Sequence, residues 1–454
     1  MLYEYLKERE QKRQPIQVGI IGAGTFGTQI ITQVCHMTGM RVAAVVDLNT
    51  ERALQALSLG GVAREQTLPA ETPEAIDAAI DQGRPAVTRS ADAVFASRAD
   101  VVIEATGHVD VAARHGYQAI QAKKHVVMVT VEADVLIGLR LKQLADAQGV
   151  IYSLAYGDEP ALAYELWDWA RTLGFQVVAA GKGTRFLPSF RKANPDDVPR
   201  LYGFTGKDYN AQMFGSFLDG TKHAIEMAAL ANATGLVPDV RGMHFQPIDL
   251  REMPNVLARK AKGGILESKG VVEAVSAAHP DGSPVERNLR GGLFTIFRAE
   301  DSYAIDSLAS YGEITGMIVG QRSKQAMIYR PQHFVGHEMP LGVVRMLLAN
   351  RAVAAPIGHS AEVVAAAKKK LAPGTILDGE GGYTVYGLLE KASVARAENL
   401  VPMGLTAGAE IVREIPEDGL LTYADVRLPE SFALRLRREQ DAGIAVVATA
   451  CPQQ

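Results

Sequence analysis

The chain has 454 residues, 47% of them hydrophobic and 22% charged, with a net charge of −4. That composition is ordinary for a globular protein of two to three domains, and the slight negative charge leaves no electrostatic footprint for nucleic acid or an anionic membrane. Two cysteines, Cys35 and Cys451, exclude a disulfide framework, no apolar run reaches the ~18 residues of a membrane span, and the charged start MLYEYLKEREQKRQ lacks the apolar core of a secretory signal. The expectation is a cytoplasmic enzyme acting on a small molecule.

Leu2 to Arg13 reads as a helix with Leu2, Tyr5 and Leu6 on one face. Ile16 to Ile21 is a short apolar run of strand character. Gly22, Gly24 and Gly27 follow at the G-x-G-x-x-G spacing, with Thr25 and Phe26 inside the turn, and Thr28 to Met37 reads as the next helix. Val42 to Val46 is a second strand, closed by Asp47. This order predicts dinucleotide binding. The first glycine makes the turn, the second lets a pyrophosphate approach, the third lets helix and strand pack, and the helix N-terminus faces the phosphates. Asp47 suits the ribose hydroxyls of NAD, while Arg52 in the next helix can meet a 2′-phosphate, so NAD and NADP both stay open.

Helices are predicted over Thr50–Leu57, Glu71–Gln82 (Thr72 as cap, Pro73 in first position), Asp92–Ala96, Asp110–Ala122 and Glu132–Ala147. Strands are predicted over Ala86–Thr88, Val101–Glu104, His125–Val129 and Val150–Ala155. The alternation predicts an α/β fold, a Rossmann doubly wound parallel sheet over residues 1–155. The turn Ala105-Thr106-Gly107 ends a strand at the ligand edge, and Thr106 and Gly107 are expected to line the nicotinamide ribose.

Residues 156–355 read as an α+β substrate and dimerisation domain. It begins with a helix over Glu159–Leu173 and a strand over Phe175–Ala180 that ends in GKGTR. A single long helix is expected over Ser216–Ala233, with strands at Val271–Val275, Gly292–Arg298 and Ala326–Tyr329. Tyr311–Gly320 reads as loop or helix start, and Pro340–Leu348 as a helix that returns to the first domain. Residues 356–454 read as a small β-rich module and tail, introduced by an alanine- and lysine-rich helix over Glu362–Leu371 whose Lys368, Lys369 and Lys370 form a solvated end.

Three groups offer acid–base or anion-binding chemistry. Lys182, between two glycines, has an exposed backbone and an ammonium that can polarise a carbonyl or hold a carboxylate or phosphate. Asp219, Lys222 and Glu226 share one segment, the last two on one helix face. Asp158 and Glu159, in the turn after the last strand of the first domain, face the cleft or cap the following helix, and Arg185 joins Lys182 as a substrate cation. His333, His337 and Glu338 have the spacing of a metal site only if helical, which Pro331 and Pro340 oppose; no metal ligand set is assigned.

GIIGAGTFGTQI, the ATG turn, AAGKGTRFLPSF, FLDGTKHAIEMAALANATGL and YRPQHFVGHEMP together resemble the homoserine-dehydrogenase-like oxidoreductases that carry a C-terminal SAF domain, the latter through LAPGTILDGEGG, LVPMGLTAGAEIVREI and LLTYADVRLPE. Within that group the resemblance is to 1-deoxy-D-xylulose-5-phosphate reductoisomerase-like enzymes. It implies NADPH as reductant and a divalent cation for which no carboxylate cluster stands out; Lys182, Lys222, Glu226 and Asp219 are the catalytic candidates, and a homo-oligomer is the accompanying expectation. One departure bears on the substrate. The homoserine dehydrogenase helix resembles D-L-x-G-x-D-V-A-x-K, whereas here Lys222 stands at the aspartate and Glu226 at the lysine. With the charges exchanged, a carboxylate- or phosphate-bearing hydroxy-carbonyl compound suits Lys182, Arg185 and Lys222 better than homoserine, whose ammonium would meet a lysine. Homoserine dehydrogenase and a non-catalytic dinucleotide-binding protein with a partner-binding SAF module are the alternatives.

Overall fold

The computed structural model describes residues 1–203 and 209–450; Cys451, assigned to the tail, lies outside them. The chain forms two compact units. The first comprises Met1–Ala161, Phe334–Ala355 and the segment from Ser431 onward. Its seven strands are β1 (Ile16–Ile21), β2 (Met40–Val46), β3 (Leu68–Pro69), β4 (Ala86–Thr88), β5 (Val101–Glu104), β6 (His125–Met128) and β7 (Tyr152–Leu154). They pair in parallel in the order β3-β4-β2-β1-β5-β6-β7, a doubly wound Rossmann sheet whose order reverses between β1 and β5. The central strands are apolar almost throughout because helices cover both faces of such a sheet. Met339, Val343, Val344 and Met346, from the helix Met339–Ala349, are buried in the same core as Ile20, Ile30 and Val45. Thr72 caps the helix Pro73–Asp81 by accepting the Ala75 N–H at 3.3 Å, as its sequence predicts. The helix Phe432–Ala450 packs on the helices Val109–Gln121 and Val131–Gln148. Gln440 inserts its amide into the latter, accepting the Arg140 N–H at 3.0 Å and donating to the Leu136 carbonyl at 3.2 Å.

The second unit comprises Leu162–His333 and Pro356–Glu430. A mixed sheet is built from β8 (Gln176–Thr184), β9 (Val237–Pro238), β10 (Val271–Ser276), β11 (Leu293–Arg298), β12 (Ile318–Gly320) and β13 (Gln325–Arg330), in the order β12-β13-β11-β8-β10-β9. Two small antiparallel pairs follow, β14 (Ala361–Ala367) with β15 (Val385–Lys391) and β16 (Glu410–Ile411) with β17 (Val426–Arg427).

Several local expectations are corrected here. The stretch expected as a helix over Glu362–Leu371 is strand β14, paired residue for residue with β15 from Ala361↔Lys391 to Ala367↔Val385. Every residue of β14 is buried, and that two-sided packing overrides the helical propensity of its alanines. The single helix expected over Ser216–Ala233 is two, Ala211–Leu218 and Thr221–Thr234, separated at Gly220 with φ +87°. The second of these is apolar on nearly all sides and correspondingly buried along its length, packed against β10, β14 and β15. Tyr311–Gly320 is the end of a helix, Ser302–Thr315, followed by β12. Finally β8 continues past Ala180 to Thr184, so Lys182 belongs to a strand and not to an open loop.

Candidate active site

In the first unit the glycine turn has the form its spacing predicts. Gly22 adopts φ +99°, and a Cβ there would lie 2.6 Å from the Ala105 carbonyl oxygen. A Cβ on Gly27 would lie 1.9 Å from the Gly22 oxygen, which is the close helix–strand packing that demands glycine. Gly24 differs. Its φ of −72° suits any residue, and an added Cβ would meet nothing within 4 Å. The helix starts at Thr25, with no side chain capping its first turn, so Thr25 and Phe26 bring main-chain N–H groups to open space beside Gly24. The cradle fits a pyrophosphate. Asp47 accepts the Ala23 N–H through Oδ2 at 2.9 Å and the Asn49 N–H through Oδ1 at 2.8 Å, fixing the second strand end against the turn while leaving lone pairs for a ribose. Arg52 is exposed. Thr106 is half-buried and Gly107 exposed at the end of β5. Asp158 is half-buried and accepts the N–H of the adjacent Glu159 at 3.0 Å, while Glu159 is buried.

In the second unit β8 and the helix Thr221–Thr234 bring Lys182 and Glu226 together. Lys182 Nζ donates to Glu226 Oε2 at 2.5 Å, and both residues are almost wholly removed from solvent. The exposed, reachable Lys182 of the sequence reading is therefore corrected. Its flanking glycines admit neighbouring backbone: a Cβ on Gly181 would lie 1.7 Å from the Glu273 oxygen and one on Gly183 2.1 Å from the Leu289 oxygen. His223 adds a third polar group, its Nε2 2.9 Å from Thr184 Oγ1 and its Nδ1 3.7 Å from Glu226 Oε2. Lys222, on the same helix, is half-buried, and the ammonium bonded to Glu226 is the one from β8. Arg185 is half-buried with its guanidinium 5.4 Å from the centre of the Phe190 ring.

Asp219 has a different neighbourhood. Its Oδ1 accepts the Thr221 N–H at 2.8 Å and its Oδ2 lies 2.8 Å from Lys368 Nζ, both side chains being buried. Burial pushes the Asp219 carboxyl up, and the Lys368 ammonium opposes it. Lys368 also donates to the carbonyls of Ala193 and Gly382, each at 2.6 Å. The expected solvated lysine run is thus corrected at Lys368, although Lys369 and Lys370 are exposed. The residues that sequence reasoning missed, Glu104, Thr184, His223 and Lys368, lie in apolar or charged runs where only tertiary contacts give them meaning.

Residues 22–154 match the family described as "Homoserine dehydrogenase, NAD binding domain", and residues 157–339 match "Oxidoreductase DRL, catalytic domain". The chain is an NAD(P)-dependent oxidoreductase. No curated protein matches it. Among solved structures it is similar to scyllo-inositol dehydrogenase from Lactobacillus casei with bound NAD(H) and scyllo-inositol, at 13% identity over 75% of this chain and 92% of that one, TM-score 0.38. It is also similar to a putative oxidoreductase, yvaA, from Bacillus subtilis (14% identity, 74% and 89% of the chains, TM-score 0.36) and to a 3-ketoreductase from Actinomadura kijaniata in complex with NADP (16%, 38% and 49%, TM-score 0.26).

The open space at Gly24 and the close packing at Gly27 separate cofactor binding by the oxidoreductase from folding. Gly24→Val is expected to leave the thermal unfolding midpoint unchanged while weakening NAD(P)H binding by roughly tenfold or more, since its side chain fills the pyrophosphate cradle. Gly27→Ala should instead lower the midpoint together with binding. Fluorescence titration and thermal denaturation of the same samples check both.

Proposed function

We propose that the oxidoreductase moves a hydride between NAD(P) and a small anionic hydroxy-carbonyl compound, in the manner of the reductoisomerase-like enzymes. The observation that carries this is the buried Lys182–Glu226 pair at 2.5 Å, with His223 beside it. When bound, the nicotinamide supplies or accepts the hydride. Lys182 holds the ammonium at the carbonyl oxygen and gives up one proton as the alcohol forms; Glu226 fixes that ammonium in place and returns a proton to it from His223 or solvent. Burial raises the worth of such a fixed charge, because little water competes for the developing alkoxide. Arg185 and Lys222 provide positive charge for a carboxylate or phosphate on the substrate. In this reading residues 356–430 form the SAF-like module, and it supports the helix Thr221–Thr234: Thr221 Oγ1 accepts the Gly387 N–H at 2.8 Å, and Asn232 Oδ1 accepts the N–H groups of Ser360 and Ala361 at 2.8 and 3.0 Å. Homoserine is disfavoured by the Lys222 and Glu226 positions.

The test is NADPH and NADH oxidation with a panel of ketose phosphates and keto acids, and the reverse assay with hydroxy acids and homoserine. Turnover confined to anionic hydroxy-carbonyl compounds supports the reading; turnover with homoserine alone contradicts it.

A further inference from the structure

We infer that Glu104 is a positioning residue whose buried charge sets how tightly the enzyme holds the oxidised cofactor relative to the reduced one. Glu104 is the last residue of β5, paired with Ile21 of β1 at the point where the sheet order reverses. Open parallel sheets take their ligands outside the carboxyl ends of the strands at that point.

The side chain is fully buried, and the donors around it are all committed. Oε1 accepts the Thr106 hydroxyl at 2.5 Å and the Thr106 N–H at 3.2 Å. Oε2 accepts the Thr130 hydroxyl at 2.6 Å. The two hydroxyl oxygens are themselves acceptors, Thr130 Oγ1 from the Gly107 N–H at 3.1 Å and Thr106 Oγ1 from the His108 N–H at 3.5 Å. Each hydroxyl accepts an N–H and also donates to Glu104, so two hydroxyls and the Thr106 N–H converge on its two oxygens, a set of donors that suits a carboxylate.

Among the described residues no lysine or arginine forms an ion pair with Glu104; hydroxyl and amide dipoles surround it, and the His115 imidazole lies at ion-pair distance, its Nδ1 3.6 Å from Oε1. What glutamate adds is a negative charge behind Thr106 and Gly107. The oxidised nicotinamide ring carries one positive charge and the reduced ring none. A fixed anion in a low-dielectric setting therefore favours the oxidised form alone, whereas the hydrogen bonds to the turn serve both forms equally.

Glu104→Gln tests this in the full-length protein by calorimetric or fluorescence titration with NADP⁺ and NADPH, and with NAD⁺ and NADH. The ratio of dissociation constants, oxidised over reduced, is expected to rise by roughly tenfold over the wild type, a size in keeping with one unit charge acting through a partly screened medium. Equal weakening of both forms, or no change in either, would overturn the inference, since a purely structural Glu104 moves the two constants together. Glu104→Asp keeps the charge and withdraws a methylene, so its ratio should stay at the wild-type value even where both affinities fall. Should Glu104→Gln fail to fold, Glu104→Ala removes the same charge: a raised ratio supports the inference, and an unchanged ratio overturns it.

Discussion

Lys368→Met is expected to lower the unfolding free energy by about 3–5 kcal/mol, the range for removing one partner of a buried ion pair. The ammonium forms an ion pair with Asp219 at 2.8 Å and donates to two carbonyls at 2.6 Å, all inside the protein. Methionine matches the stem but leaves the Asp219 carboxylate and both carbonyls without their shared cation. The damage centres on the break at Gly220, where the helix Ala211–Leu218 hands over to Thr221–Thr234. Arg191 closes the other side, donating to the Asp219 carbonyl at 3.2 Å with its guanidinium 4.7 Å from the Phe186 ring centre. Urea unfolding measures the loss. The double variant Lys368→Met, Asp219→Leu should recover much of it, because an apolar pair leaves no buried charge behind. A loss below about 1 kcal/mol, the size expected of an exposed pair, would mean that the ammonium is not bound as described.

Lys182→Met should reduce turnover by a factor of roughly 10²–10⁴, the usual contribution of a positioned general acid, while NAD(P)H binding stays within about twofold. The separation is expected because the glycine turn proposed to hold the cofactor and the Lys182–Glu226 pair are built from different units of the chain. Glu226→Gln should cost less than Lys182→Met and shift the pH profile, since a glutamine can still accept from the ammonium but holds no proton for it. Steady-state kinetics across pH, with cofactor titration on the same preparations, measure both.

The sequence carried the first unit well, and the reason is local. A strand, a glycine turn, a helix and a closing aspartate are contiguous, and Gly22 and Gly27 answer to contacts with the adjacent strand end and within the turn, while Gly24 faces open space. The second unit was less legible because its contacts are distant in sequence. Lys182 meets Glu226 from 44 positions away, a partner that no i,i+4 reading of the helix can supply. The glycines around Lys182 signalled close approach correctly, but what approaches is the backbone of β10 and the Leu289 carbonyl. Lys368 was hidden in a run of three lysines, of which burial of β14 selects one. Glu104 was passed over as the polar end of an apolar strand, and its role appears only when Thr106 and Thr130 converge on it from two turns.

The most direct measurement of the central claim is hydride transfer itself, followed with NADPH or NADH deuterated at the reactive ring carbon. With the wild-type oxidoreductase and the substrate selected from the anionic panel, mass spectrometry should find one deuterium in the alcohol product, and labelled product should form at least about a hundredfold more slowly with Lys182→Met although that variant still binds the cofactor. Deuterium delivered by Lys182→Met at the wild-type rate, or product formed by the wild type without deuterium, would contradict the account.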